Sequence, residues 1–154
     1  MPKRTAQSTR TGQLSGVQLE ISGIHNDGLR ESVTLINRGT VVQPLGGWAL
    51  ATLRGERFYF FPDDLILRPG KMVTVHSGQD APDMSSAAPH ELQLVWAHEQ
   101  MWNNGGDMAV LFDANGVEVD RYAYPHERIM GSGNRRRKRL LHDGETWCIE
   151  DQPA

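Results

Sequence analysis

Short runs of alternating apolar and polar residues recur along this chain and restrict its fold more than any other property. They include residues 17–25, 32–37, 71–78 and 91–96. A period of two places successive side chains on opposite faces of a half-buried strand. Turn residues such as Asn26-Asp27-Gly28 separate the runs. No segment has the i, i+3, i+4, i+7 spacing of an amphipathic helix over three turns, so strands are expected.

The runs also indicate how the strands are connected. Ala114-Asn115-Gly116 joins residues 107–113 to residues 117–124, which is a strong hairpin signal. Eight or nine strands that are linked by turns, without interleaved helices, predict an all-β fold in which two sheets stack as a β-sandwich. The length of 154 residues suits one such domain with short tails.

Charge is distributed unevenly between the body of the chain and its ends. Residues 12–134 have a balance of −7, the first eleven residues have a balance of +3, and five consecutive cations follow at 135–139. We therefore divide the chain into a disordered basic tail at 1–15, a sandwich domain at 16–126 and a basic C-terminal extension at 127–154. The extension is expected to form a final strand or a short helix, and residues 135–142 are the best helical candidate.

Cysteine content and hydropathy bear on the compartment. The single cysteine, Cys148, excludes an internal disulfide, which fits a reducing environment. The N-terminus is basic and polar and lacks the apolar stretch of a signal peptide. No run of roughly 18 apolar residues is present to span a bilayer. These features predict a cytoplasmic protein without a membrane span.

Reactive side chains are not grouped in any pattern typical of catalysis. The six histidines have no structural zinc spacing, and Asp113-Ala114-Asn115-Gly116 lacks the later ligands of a calcium loop. Ser132 lacks the Gly-x-Ser-x-Gly elbow of hydrolases, and Cys148 has the apolar neighbours of a packed thiol. The sequence therefore predicts no catalytic residue, no metal, no cofactor and no small-molecule substrate, and the chain is not expected to be an enzyme.

Four strand-and-turn segments follow one another after residues 17–24. They are Glu-x-Val-x-Leu-x-Asn-x-Gly at 31–39, Leu-Gly-Gly-Trp-Ala-Leu at 45–50, Phe-Phe-Pro at 60–62 with Leu-x-Pro-Gly-x-x-Val-x-Val at 67–75, and Trp-Asn-Asn-Gly-Gly-Asp at 102–107 with the strand that follows. Over residues 17–124 they resemble the lamin tail domain family, and the chain is identified as a member of its prokaryotic type. The resemblance implies an immunoglobulin-like two-sheet β-sandwich of eight or nine strands.

Each of these segments also has a physical rationale. Gly46-Gly47 permits a sharp turn before Trp48, whose indole can bury roughly 200 Å² between two sheets. Pro69-Gly70 favours a type II turn, because proline fixes φ at the first central position and glycine accepts a positive φ at the second. Glu31 can accept hydrogen bonds from nearby backbone N–H groups.

Two functions are compatible with these observations. The resemblance implies a non-catalytic interaction module that binds a protein partner, or self-associates, through an exposed strand edge or end loops. Two aromatic residues beside a polar segment, Trp96 and Trp102, are the predicted partner contacts. The alternative is an accessory nucleic-acid-binding protein, because five adjacent cations repel one another, are not expected in an interior and attract phosphate backbones. The predicted polyanion-binding residues are Arg135, Arg136, Arg137, Lys138 and Arg139.

Overall fold

A computed structural model of the chain describes residues 18–83, 92–124 and 136–152. The predicted N-terminal tail at 1–15 lies outside this part. Strands and turns make up the described residues, and no helix occurs among them. The twelve strands are β1 (Leu19–Asn26), β2 (Glu31–Asn37), β3 (Gln43–Pro44), β4 (Ala49–Thr52), β5 (Arg57–Phe60), β6 (Ile66–Leu67), β7 (Met72–Ser77), β8 (Leu92–Val95), β9 (Asp107–Phe112), β10 (Glu118–Tyr124), β11 (Lys138–His142) and β12 (Trp147–Asp151).

Eight of these strands form two four-stranded sheets, which confirms the predicted all-β sandwich. The first sheet has the order β1-β2-β7-β8, and the second has the order β10-β9-β4-β5. All neighbours within them are antiparallel except β7 and β8, which run parallel. The pairs β3–β6 and β11–β12 form two smaller sheets.

The alternating sequence of β2 explains how the first sheet is oriented. Val33 and Leu35 are fully buried, whereas Ser32, Thr34 and Ile36 on the opposite face are only partly buried. Inward side chains from both sheets pack around Trp48 and Trp102. The residues of this main core are Leu19, Ile21, Val33, Leu35, Leu45, Trp48, Leu50, Phe61, Leu67, Val73, Val75, Trp102, Ala109 and Leu111.

The two turns that the sequence singles out have the expected geometry. A Cβ atom on Gly46 would lie 2.8 Å from the carbonyl oxygen of Asp63, so only glycine permits this close approach before Trp48. Gly70 has φ +80°, and the N–H of Lys71 donates to the carbonyl of Arg68 at 3.0 Å. This is the geometry of the predicted type II turn.

The C-terminal hairpin β11–β12 adds a third layer to the sandwich. Leu140 and Ile149 pack on the outer face of the second sheet, so that β4 and β9 are buried on both faces. This second core contains Ala49, Ala51, Met108, Val110, Phe112, Ala123 and Leu140, with Leu53, Phe58 and Ile149 packed against it. Residues 138–142 of the helical candidate are therefore a strand rather than a helix.

Asp120, on β10, connects the two sheets at the side of the sandwich where β1 and β10 contact each other. One of its carboxylate oxygens accepts a hydrogen bond from the Ile21 N–H at 2.7 Å, next to the bulge of β1. Burial raises the pKa of Asp120, the hydrogen bond from Ile21 opposes this shift, and the charges of Glu20 and Glu118 add to it.

We expect Asp120→Asn to be at least as stable as the parent chain at neutral pH. A carboxyl group whose pKa is raised by folding stabilises the fold fully below its unfolded pKa of 3.8, and this contribution is lost as pH rises through the folded value. Asparagine can still accept the Ile21 hydrogen bond and carries no charge to desolvate.

Urea unfolding from pH ~4 to ~8 should show a smaller loss of stability with rising pH in the Asp120→Asn variant than in the parent. Asp63→Asn, in an exposed turn, is the control, and a parent that is more stable than Asp120→Asn at neutral pH would contradict the expectation.

Candidate functional site

An open groove of about 690 Å³ lies on the first sheet where β7 and β8 begin. We call it the β8 groove. It is lined by Thr34, Ile66, Arg68, Gly70, Lys71, Met72, Thr74, Leu92 and Gln93. Ile66 is 39% exposed and Met72 is 53% exposed, although both are large apolar side chains. The outer face of the first sheet thus differs from that of the second sheet, which the C-terminal hairpin covers.

The strand β8 is the edge of the first sheet, among the strands that the structure describes. The N–H of Trp96 donates to the carbonyl of His76 at 2.7 Å, so the backbone N–H and C=O groups of residue 96 point toward β7. Backbone groups alternate between the two sides of a strand. Leu92 and Leu94 therefore also face β7, whereas the N–H and C=O groups of Gln93 and Val95 point to the free edge.

Side-chain hydrogen bonds hold the three strands beneath the β8 groove in register. The hydroxyl groups of Thr34 and Thr74 lie 3.1 Å apart and connect β2 to β7. The His76 Nε2 and Gln93 Oε1 atoms lie 2.5 Å apart and connect β7 to β8. Because both pairs lie on the outer face, they hold the three strands and the side chains of this surface in a fixed arrangement.

Two cations border the β8 groove and lie on either side of the Pro69-Gly70 turn. These are Arg68 and Lys71, whose backbones are joined by the turn hydrogen bond. The described residues that line the groove include no acidic residue. Within the described ranges neither Arg68 nor Lys71 forms an ion pair. The described lining of the groove is therefore positively charged, on a chain whose net charge is −3.

A second cleft, of about 350 Å³, lies between the β4–β5 turn and the segment before β9. It also contains two arginines, Arg54 and Arg57. Asp107 in its wall accepts a hydrogen bond from the backbone N–H of Arg54 at 3.0 Å, and the Arg54 Nη1 donates to the Gly106 carbonyl at 3.2 Å. A carboxylate oxygen of Glu99 lies 4.0 Å from the Arg57 guanidinium. Both arginine residues therefore have a carboxylate nearby, which Arg68 and Lys71 lack among the described residues.

Of the two predicted partner contacts, only Trp96 has an accessible side chain. Trp102 is 1% exposed and belongs to the main core, so the prediction that it contacts a partner directly is wrong. Its ring packs edge-on against Trp96, with centroids 5.9 Å apart. Trp96 is half-buried, follows β8 and also contacts Tyr59 across the sandwich. The role of Trp96 as a partner contact stays a prediction.

The structure divides the predicted polyanion site among different environments. Arg135 lies outside the described residues. Arg136 is exposed, Arg137 and Arg139 are half-buried, and Lys138 is 7% exposed. The Lys138 Nζ lies 2.5 Å from a carboxylate oxygen of Asp151. The expectation that none of the five cations is interior is therefore wrong for Lys138, because its ion pair with the exposed Asp151 offsets its desolvation.

Glu118 shows what this basic segment does within the fold. Its carboxylate accepts two hydrogen bonds from Arg121, each at 2.7 Å, and one from the backbone N–H of Lys138 at 2.7 Å. The Glu118 carbonyl accepts from the Arg137 guanidinium at 3.2 Å. These contacts bind the start of the C-terminal hairpin to β10. No observation on the described part of the chain favours nucleic acid as the ligand of this segment, and that alternative stays a prediction.

Metal-binding clusters and membrane-spanning helices are both absent from the described residues. No group of three or more His, Cys, Asp or Glu side chains is arranged there to bind a metal ion. Within the same residues there is no helix with the length and hydropathy needed to cross a membrane. Burial, followed by the charge of Glu150, raises the pKa of the Cys148 thiol, which makes it a weak nucleophile at neutral pH.

Sequence reasoning did not identify the β8 groove. Arg68 and Lys71 lie in a segment that was assigned only to a turn, and no spacing signal links them to β8. Their proximity to Gln93 depends on the parallel pairing of β7 with β8, in which Thr74 is opposite Gln93. The alternation of apolar and polar residues is the same in parallel and antiparallel strands, so it does not reveal this pairing. The only sequence signal for the β8 groove was therefore the presence of two cations around one turn.

Comparison with known protein families gives one match. The model of the family described as Lamin Tail Domain matches residues 13–126, which is more than half of the chain. The lining of the β8 groove and the strand β8 lie inside the matched region, whereas the C-terminal hairpin lies after it. No curated protein matches the chain.

Proposed function

We propose, since this chain belongs to the lamin tail domain family, that it is a non-catalytic interaction module that binds an extended segment of a partner protein along β8. The single observation that carries the proposal is the edge of β8, which no described strand covers, beside a groove with exposed apolar side chains. The protein is expected to act in the cytoplasm. In this proposal Trp96, directly after β8, contacts the end of the bound segment.

Strand addition would use the backbone groups that β8 leaves available. Gln93 and Val95 offer donors and acceptors in the plane of the sheet, and an added strand would pair with them as β7 pairs with the inner side of β8. Such main-chain bonds supply affinity, while side-chain pockets supply specificity. Alternate side chains of the bound segment would point into the β8 groove, where Ile66 and Met72 are exposed.

Self-association would use the same edge, because an uncovered strand can pair with a second copy of the chain. We favour a different protein as the occupant, because a four-residue edge forms few main-chain bonds with any strand, and the β8 groove adds side-chain contacts for a complementary segment. Sedimentation of the chain over a range of concentrations separates the two occupants.

We expect Val95→Pro to abolish strand addition while leaving the fold intact. Proline removes the Val95 N–H, which points to the free edge and is not used in the β7–β8 ladder, and edge strands tolerate proline at such positions. Val95→Thr is the matched control, because it changes the side chain and keeps the N–H. Binding should weaken by roughly tenfold or more in the proline variant only.

The binding partners for this experiment are short random peptides displayed on phage and selected against the parent chain. Peptides that bind by strand addition should shift the backbone amide signals of Gln93 and Val95 in NMR spectra. Their affinities are then measured for both variants, together with the free energies of unfolding. The proposal is rejected if the selected peptides bind Val95→Pro as tightly as the parent, or if their signals map to another surface.

A further inference from the structure

We infer that the β8 groove selects extended protein segments whose groove-facing side chains, at every second position, are aliphatic and acidic in turn. The aliphatic side chains would pack on Ile66 and Met72, and a carboxylate would lie between Arg68 and Lys71. This inference rests on the proposed function, because it names the chemistry of the segment that β8 binds.

The charge of the groove is the first argument. Arg68 and Lys71 have no ion-pair partner among the residues that the structure describes, and the described lining of the groove has no carboxylate. Arg54 and Arg57 in the second cleft differ, since Asp107 accepts a hydrogen bond from the Arg54 backbone N–H and Glu99 lies 4.0 Å from the Arg57 guanidinium. A ligand carboxylate would therefore gain attraction in the β8 groove without displacing an internal partner.

The apolar lining is the second argument. Exposed side chains of Ile66 and Met72 lie in the same groove as the two cations. Burial of such side chains favours a ligand that presents aliphatic groups at the spacing of a strand. The Thr34 and Thr74 hydroxyl groups in the same lining bond to each other, which satisfies one of their two O–H donors internally.

A protein segment fits this groove better than a nucleic acid. Affinity for a phosphate backbone comes from many cations along the duplex, and it falls steeply with salt. Among the described residues the groove has two cations, Arg68 and Lys71, and the rest of this lining is apolar or neutral. A segment with carboxylates and aliphatic side chains on the same face is complementary to both properties, whereas a duplex is complementary to only one.

The probes for this inference are two synthetic peptides of equal length with threonine at every second position. The positions between are valine and glutamate in turn in one peptide, and valine and lysine in turn in the other. Their affinities are measured by fluorescence anisotropy of a terminal dye. We expect the glutamate peptide to bind the parent chain at least roughly tenfold more tightly. Arg68→Gln combined with Lys71→Gln should remove that preference. Arg54→Gln combined with Arg57→Gln makes the same charge change in the second cleft and should leave the preference unchanged.

Val95→Pro makes failure of this inference distinguishable from failure of the proposed function. If both peptides bind equally and both lose binding in Val95→Pro, the charge inference is overturned and strand addition stands. If the glutamate preference depends on Arg68 and Lys71 but not on Val95, the groove binds acidic segments without strand addition, and the proposed function fails. If neither peptide binds, or if duplex DNA competes through Arg68 and Lys71, the inference is overturned.

Discussion

Glu31→Ala is expected to lower the free energy of unfolding by about 3–5 kcal/mol. The Glu31 carboxylate is 1% exposed and accepts three hydrogen bonds. The Ser77 hydroxyl donates at 2.7 Å, the Met101 N–H at 2.9 Å and the Trp102 N–H at 3.3 Å. Alanine would leave these donors without acceptors in a site that water does not readily enter, and each unsatisfied buried group costs roughly 1–3 kcal/mol.

The position of Glu31 explains why the loss should be global rather than local. It is the first residue of β2, in the first sheet, and its hydrogen bonds hold the segment that carries Trp102 into the main core. Without that connection the indole loses its fixed position between the sheets. We therefore expect the main core to loosen together with the segment, and the unfolding transition to move to lower urea concentration.

Two further variants test this explanation. Glu31→Gln retains one acceptor oxygen and should lose less stability than Glu31→Ala. Glu99→Ala removes a carboxylate that is 68% exposed and should change the free energy of unfolding by less than about 0.5 kcal/mol. Urea unfolding monitored by tryptophan fluorescence measures all three. A Glu31→Ala variant that is as stable as Glu99→Ala would show that the buried hydrogen bonds contribute little.

The sandwich was predictable because local signals agree with one another. The alternation in β2, the Pro69-Gly70 turn and the Gly46-Gly47 approach are each written in a few adjacent residues. Glu31 could also be anticipated as an acceptor of backbone hydrogen bonds. These features depend on residues that are adjacent in the sequence, so they can be predicted without knowledge of the tertiary structure.

The environments of single side chains were less predictable, because they depend on residues far away in the sequence. Lys138 belongs to a run of cations that suggests exposure, yet Asp151 and the Glu118 network hold it in the interior. Trp102 precedes a polar turn that suggests a surface position, yet its indole is in the main core. The β8 groove follows from the parallel pairing of two strands, which no local pattern encodes.

The C-terminal hairpin has the broadest consequence for the fold. The family match ends at residue 126, but the second sheet is apolar on its outer face as well. Phe112 and Val110 are fully buried there, and Leu140 from β11 covers them. A sheet that is buried on both faces requires a layer on each side. The packed core therefore extends beyond the region that the family model matches.

Removal of the C-terminal hairpin, in a fragment that spans residues 13–126, is expected to produce a protein that aggregates or unfolds at much lower urea concentration. The exposed face would be a contiguous apolar patch, and such patches promote association. The single substitution Leu140→Ala isolates the packing contribution and should cost about 2–4 kcal/mol, because Leu140 is 6% exposed. Leu29→Ala, at a leucine that is 49% exposed, is the matched control and should have little effect. Size-exclusion chromatography measures the association state of the fragment, and urea unfolding measures the stability of the fragment and of both variants. A monomeric fragment with the unfolding midpoint of the full chain would mean that the second core does not stabilise the sandwich.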